Sequence, residues 1–157
     1  MPTDPSDLVR EFHQFFGLPA RTRDELTRIE GEELAFRRRL LDEEYEELDE
    51  ALEDNNDIAH IYKEMADLAY VLYGLDQHLG GRLSAVLEEV HRSNMTKLWS
   101  CDNCGGRGTK RAGTIDNPNN VVECLVCNGS GKMAKYREDG KVLKPPTYVK
   151  PDLSAVL

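Results

Sequence analysis

Residues 58–79 read IAHIYKEMADLAYVLYGLDQHL, and the spacing of their apolar members decides the fold. Ile58, Ile61, Met65, Leu68, Leu72, Leu75 and Leu79 follow alternating steps of three and four. That spacing keeps one apolar seam on one side of a helix. Gly80-Gly81 stops the run. Upstream, Leu34, Leu41, Tyr45, Leu48 and Leu52 define a second long amphipathic helix, which ends near Glu53–Asp57 where Asn55 and Asn56 favour a turn. A shorter first helix carries Leu8, Phe12, Phe15 and Phe16 after the capping pair Asp4-Pro5. Gly17 and Pro19 close it, and a polar linker runs through Arg21–Arg28. A fourth helix follows from Leu83, Leu87 and Val90, its apolar face continuing through Asn94 and Lys97 before Trp99. Long helices joined by short turns predict an all-α, antiparallel helical bundle, and the heptad seam can also pack against another subunit.

From Ser100 to Gly131 the composition turns to Cys, Gly and Asn. Beyond it, Tyr136-Arg137-Glu138-Asp139-Gly140-Lys141-Val142-Leu143 reads as a hairpin around Asp-Gly, and Pro145, Pro146 and Pro151 make the tail an extended strap. The expected organisation is therefore a helical core over 1–99, a small Cys₄ insertion over 100–132, and a hairpin and strap over 133–157 that complete the core domain. At 157 residues with a formal charge of −9, the chain can bury one ordinary core. The negative balance argues against nucleic acid as a partner. No stretch approaches the ~18 apolar residues of a membrane span and the N-terminus lacks a signal-peptide profile, so a cytoplasmic protein without a membrane partner is expected. In that reducing setting Cys101, Cys104, Cys124 and Cys127 are metal ligands rather than disulfides.

Two acidic pairs mark the candidate site. Glu44 with Glu47, and Glu64 with Asp67, each stand three residues apart, so both members of a pair project from one helix side and can converge on a hard cation such as Mg²⁺ or Mn²⁺. At roughly 100° per residue, Glu44 lies about 70° and Glu47 about 130° from the centre of the face set by Leu41, Tyr45, Leu48 and Leu52. Glu43 and Glu50 point away, and Glu46 lies on the polar flank with Asp42, Asp49 and Glu53. On the next helix Glu64 edges the seam, with Asp67 beside His60 and Val71. Carboxylates at a packing boundary must be neutralised by protonation, by an Arg or Lys, or by a metal ion, and Arg37, Arg38 and Arg39 are the local salt-bridge candidates. His60 reads as a surface or hydrogen-bonding histidine.

Glu43-Glu44-Tyr45-Glu46-Glu47, a spacer, and Glu64-Met65-Ala66-Asp67 resemble the EExxE…ExxD signature of the MazG-like all-α nucleoside triphosphate pyrophosphohydrolases. The segments Asp67–Gly74, Val90–Leu98 and Gly140–Tyr148 are similar to that superfamily as well. The resemblance implies hydrolysis of a nucleoside or deoxynucleoside triphosphate to monophosphate and pyrophosphate, with Mg²⁺ held by Glu44, Glu47, Glu64 and Asp67. It implies assembly through helices as a homodimer or homotetramer. Glu43 would sit behind the ligands or orient the attacking water. Asn94 and Lys97 would meet sugar or phosphate, or else cap and neutralise a helix end. Lys141, Lys144 and Tyr148 would close over the ligand from the strap, and Tyr70 and Tyr73 either stack on a base or pack in the core. Phosphoribosyl-ATP pyrophosphohydrolase shares this architecture and reaction type. A non-enzymatic zinc-ribbon adaptor, with a helical domain that binds a partner, is the alternative from another class.

The four cysteines form a CxxC…CxxC set whose spacing suits one structural Zn²⁺. Each knuckle continues as Cys-x-x-Cys-x-Gly-x-Gly, which resembles the cysteine-rich region of DnaJ-type chaperones. Only two copies are present and no J-domain accompanies them, so the chaperone function is not carried over. The module reads as an insertion at a loop tip, placed to stiffen the hairpin over a nucleotide or to contact a partner.

Overall fold

The computed structural model describes residues 4–22, 25, 28–54, 57–112 and 120–157; the turn expected at Asn55-Asn56 lies outside them. Among the described residues four helices dominate: α1 (Pro5–Phe16), α2 (Gly31–Asp54), α3 (Ile58–Leu79) and α4 (Leu83–Met95). Four short strands follow, β1 (Trp99–Ser100), β2 (Thr109–Arg111), β3 (Val121–Glu123) and β4 (Lys132–Met133). The all-α expectation holds. The chain divides into two compact units, Met1–Glu88 with Leu153–Leu157, and Glu89–Asp152.

In the first unit the side chain of Asp4 accepts from the Ser6 amide and caps α1, and Asp57 caps α3 through the amides of Ala59 and His60. Both α1 and α2 run antiparallel to α3. Glu33 meets His78 at one end of the α2–α3 pair and Glu47 meets Lys63 at the other. Along α1, Ser6 bonds Gln77 and Phe12 stands edge-on to Tyr70. Asp76 joins α3 to α4 by accepting from the amides of Arg82 and Leu83, two donors that the start of α4 leaves without helical partners.

The buried set differs from the apolar stripes. In α1 it is Ser6, Val9 and His13 that are buried, while Phe15 is 81% and Phe16 68% exposed. In α3 the seam splits, because the chain covers one of its two edges. Ile61 is buried and Leu68 and Leu75 are half-buried against the other helices, whereas Ile58, Met65, Leu72 and Leu79 remain exposed. In α2 the inner face is Arg37, Leu40, Leu41, Glu44, Leu48 and Ala51, with Tyr45 and Leu52 outside. The face centred on Tyr45 and Leu52 is thereby corrected by rotation toward Leu40 and Ala51.

A polar relay fills the core at the far end of this hairpin. Arg37 on α2 contacts Nε2 of His78, whose Nδ1 contacts Glu33, and Glu33 pairs with Arg21 at 3.0 Å. A guanidinium only donates, so Nε2 of His78 accepts and Nδ1 carries the proton given to Glu33. A Cβ at position 74 would lie 2.9 Å from Nη1 of Arg37, so Gly74 leaves the room that the guanidinium occupies. Nδ1 of His13 donates to the Pro19 carbonyl at 2.6 Å and its ring stands edge-on to His78.

Burial, and then the charge of Arg37, hold His78 below the ordinary histidine range, with the Glu33 hydrogen bond opposing them. The folded state therefore favours neutral His78, and the unfolded chain takes up the proton first as pH falls below about 6.5. Stability contributed by neutral His78 is complete above that pH and is lost below it. The urea midpoint should fall between pH 7.5 and pH 5.5, and His78→Gln should flatten that slope; an unchanged slope in the variant would remove His78 as its source.

Candidate functional site

The rotated face of α2 carries Glu44 into the α2–α3 contact. Glu44, Glu47 and Glu64 each offer a carboxylate oxygen, all within 4.8 Å of one another. Glu64 is the deepest at 3% exposure, whereas the side chains of Glu47 and Asp67 are 56% and 40% exposed. Burial raises Glu44 above the usual carboxylate range, and the charges of Glu47, Asp67 and Glu64 add to this while Lys63 opposes it. Glu43 is exposed, on the side the helical wheel assigned it.

The counter-charge is Lys63, which the sequence reading did not select. Its ammonium lies 2.9 Å from Asp67, 3.0 Å from Glu64 and 3.7 Å from Glu47. The carboxylates lift Lys63 above its ordinary range, through the hydrogen bonds it donates to Asp67 first and Glu64 second. Nε2 of His60 meets the other oxygen of Glu64 at 2.9 Å. Arg37, expected as a local counter-ion, is turned instead toward His78 and Glu33. The i,i+4 spacing of Lys63 and Asp67 was the available signal, since it places both on one side of α3. An ammonium drawn against three carboxylates is a stand-in for a cation, and the donor set is all oxygen, as Mg²⁺ and Mn²⁺ prefer.

The remaining candidates belong to the second unit. Ser93, buried on the last turn of α4, donates its hydroxyl proton to the Val149 carbonyl at 2.8 Å, and its oxygen lies in hydrogen-bond contact with the Tyr148 hydroxyl at 3.1 Å. The Val149 amide donates to Thr96 at 2.9 Å, so the strap is fixed to the helix end. The Lys144 ammonium stands 4.5 Å from the centre of the Tyr148 ring. The Tyr148 hydroxyl is held below its usual range by the Ser93 hydrogen bond first, and then by Lys144, Lys97 and Lys150. Lys144 thus stands against Tyr148, and Lys97 and Lys150 act on its hydroxyl through their charge. Asn94 is exposed, its carbonyl accepting from the Lys97 amide. Lys141 lies in the hairpin turn, where its carbonyl accepts from Arg137 and Tyr136 bridges Val142.

The cysteine module is built twice from one pattern. β1 pairs with β4 and β2 with β3, and the Cys101 amide donates to the Gly131 carbonyl as the Cys124 amide does to Gly108, both at 2.8 Å. All four cysteines are buried. Sulfur separations are 3.9 Å for Cys101–Cys124 and 3.8 Å for Cys104–Cys127, matching the roughly 3.8 Å edge of a tetrahedron with zinc–sulfur bonds of ~2.3 Å. The amides of Gly108 and Gly131 donate to Cys104 and Cys127. Burial works against ionisation at Cys124, but the Asn103 side chain and nearby amides outweigh it and bring that thiol to about 6. Burial and the neighbouring sulfurs push Cys127 up to about 11. The four sulfurs are compatible with one tetrahedral zinc ion, whose positive charge would favour all four as thiolates.

Two glycines let the knuckles interlock. Gly108 and Gly131 have positive φ, and a Cβ on them would lie 2.1 Å from the Gly129 carbonyl and 2.2 Å from the Gly106 carbonyl. Gly108→Ala should therefore lower bound zinc from about one equivalent to well under half, measured by elemental analysis of reduced protein. Full zinc occupancy in that variant would refute the interlock.

A family model described as phosphoribosyl-ATP pyrophosphohydrolase matches residues 9–94, more than half of the chain. No curated protein matches it. The matched span includes Glu44, Glu47, Glu64 and Asp67 and leaves the four cysteines outside. The chain belongs to the phosphoribosyl-ATP pyrophosphohydrolase family, within the MazG-like all-helical nucleoside triphosphate pyrophosphohydrolases, and is a pyrophosphohydrolase.

Proposed function

We propose that the chain hydrolyses the α–β phosphoanhydride of a nucleoside or deoxynucleoside triphosphate, releasing the monophosphate and pyrophosphate. The observation that carries this reading is the convergence of Glu44, Glu47 and Glu64, with Lys63 drawn in among Glu47, Glu64 and Asp67, inside the span the family model matches. Those four carboxylates would hold Mg²⁺ or Mn²⁺. Bound there, the ion supplies neutralisation of the phosphate chain and a more acidic water. Glu44, biased toward the protonated form by burial, gives up that proton as the cation enters, so occupancy weakens as pH falls. Glu43, exposed next to Glu44, orients water or supports the ligands from behind.

In the second unit Lys97, Lys144 and Lys150 gather about Tyr148 as point charges for phosphate oxygens. Asn94 offers an amide to sugar or phosphate, and Lys141 is retained as a further cation on the strap. The Cys₄ group holds structural zinc. The exposed edge of α3, at Ile58, Met65, Leu72 and Leu79, supports a homodimer or homotetramer, which sedimentation would exclude by giving the mass of one chain.

A second reading is favoured by the family description: phosphoribosyl-ATP as substrate, cut at the same anhydride. Pyrophosphate release from a panel of nucleotides and phosphoribosyl-ATP separates the two. Turnover of simple triphosphates supports the first reading, and release from phosphoribosyl-ATP alone supports the second. In either case Glu47→Gln with Asp67→Asn should lower turnover by at least ~100-fold, the scale lost when electrostatic stabilisation of a transition state is removed. Helix content should be unchanged because both side chains are largely exposed; wild-type turnover in the double variant would remove these residues from the site.

A further inference from the structure

The overall charge of −9 conceals a division. Nine lysines and arginines against twenty-two acids make the first unit −13, whereas eleven against seven make the second +4. Within the second unit Arg107, Lys110 and Arg111 line one cleft of about 530 Å³. Arg107 follows the first knuckle, its amide donating to the Cys104 carbonyl, and Lys110 and Arg111 lie on β2. Lys110 donates to Oδ1 of Asn103, whose Nδ2 donates to the Cys124 sulfur at 3.3 Å. One amide thus ties a cation of the cleft to the cysteine cluster. Neither Arg107 nor Arg111 forms an ion pair with a described carboxylate. Among the described residues these three cations line the cleft, and their charge favours an anionic occupant.

We propose that this cleft binds the phosphodiester backbone of a nucleic-acid strand without reading its sequence. Three cations on an open surface hold a single phosphate weakly, and a strand supplies several phosphates at once. A strand carries one such charge per nucleotide along its whole length, whereas an acidic peptide carries them only where Asp or Glu falls, and polyglutamate stands for that rival in the test. The inference is independent of the pyrophosphohydrolase reaction, which uses none of these three residues.

The test is fluorescence anisotropy of a labelled single-stranded oligonucleotide with the full chain, zinc loaded. Neutralising three phosphates predicts a log–log salt slope near −2, so affinity should fall about 20-fold between roughly 50 and 200 mM salt. The triple variant Arg107→Ala, Lys110→Ala, Arg111→Ala should lose most of this binding and most of the slope, with zinc content and pyrophosphate release as in wild type. Should the triple variant lose zinc, Arg111→Glu, an exposed change, should weaken the oligonucleotide by at least about tenfold on its own. The proposal is overturned if wild type fails to bind at low salt, or if a zinc-loaded variant binds equally well. It is also overturned if free nucleoside triphosphate or polyglutamate displaces the label as effectively as unlabelled strand at equal charge.

Discussion

Carboxylates that face one another between two helices must be neutralised by a cation or by protonation. Glu44, Glu47, Glu64 and Asp67 impose that requirement on the α2–α3 hairpin, and Lys63 meets it in the free chain by reaching toward three of them. Replacing an ammonium by a dication needs little rearrangement of the helices, because the exposed lysine can swing into solvent while Glu64 stays held by His60. The far end of the same hairpin is fixed by Arg37, His78 and Glu33, a neutral histidine between opposite charges. One end is thus neutralised by an exposed lysine and the other by buried Arg37 and His78.

Helix existence was legible because it rests on local spacing, capping residues and glycine stops. Orientation was less so. The α2 face was displaced because Tyr45 and Leu52 are apolar and outward, while Arg37 and Glu44 are charged and inward; hydrophobicity alone therefore rotates the wheel away from the true contact. The same cause hides the burial of Ser6 and His13 and the exposure of Phe15 and Phe16. Arg37 meeting His78 joins residues far apart in sequence, which no local pattern announces. The two acidic pairs were legible from their spacing of three, and their counter-ion Lys63 was not, because a single lysine in a charged helix carries no pattern of its own.

The cysteine module illustrates the opposite case. Its strands are two or three residues long and its core is four sulfurs, so periodicity says little and spacing says nearly everything. The two knuckles repeat the same cysteine and glycine positions, and the structure repeats the same hydrogen bonds, Cys101 to Gly131 and Cys124 to Gly108. Such a module has little apolar surface to bury, so its organisation rests on the four cysteines and the hydrogen bonds around them.

Charge supplies the last step. A carboxylate cage that attracts divalent ions also repels phosphate, and an enzyme of phosphate chemistry has to present cations without neutralising its own metal ligands. A basic side chain mixed into the acidic helices would be captured, as Lys63 is. The contrast between the units lies in the acids, twenty-two in the first against seven in the second, while the basic residues divide nine and eleven. A net charge taken over the whole chain averages that −13 with the +4 and hides it.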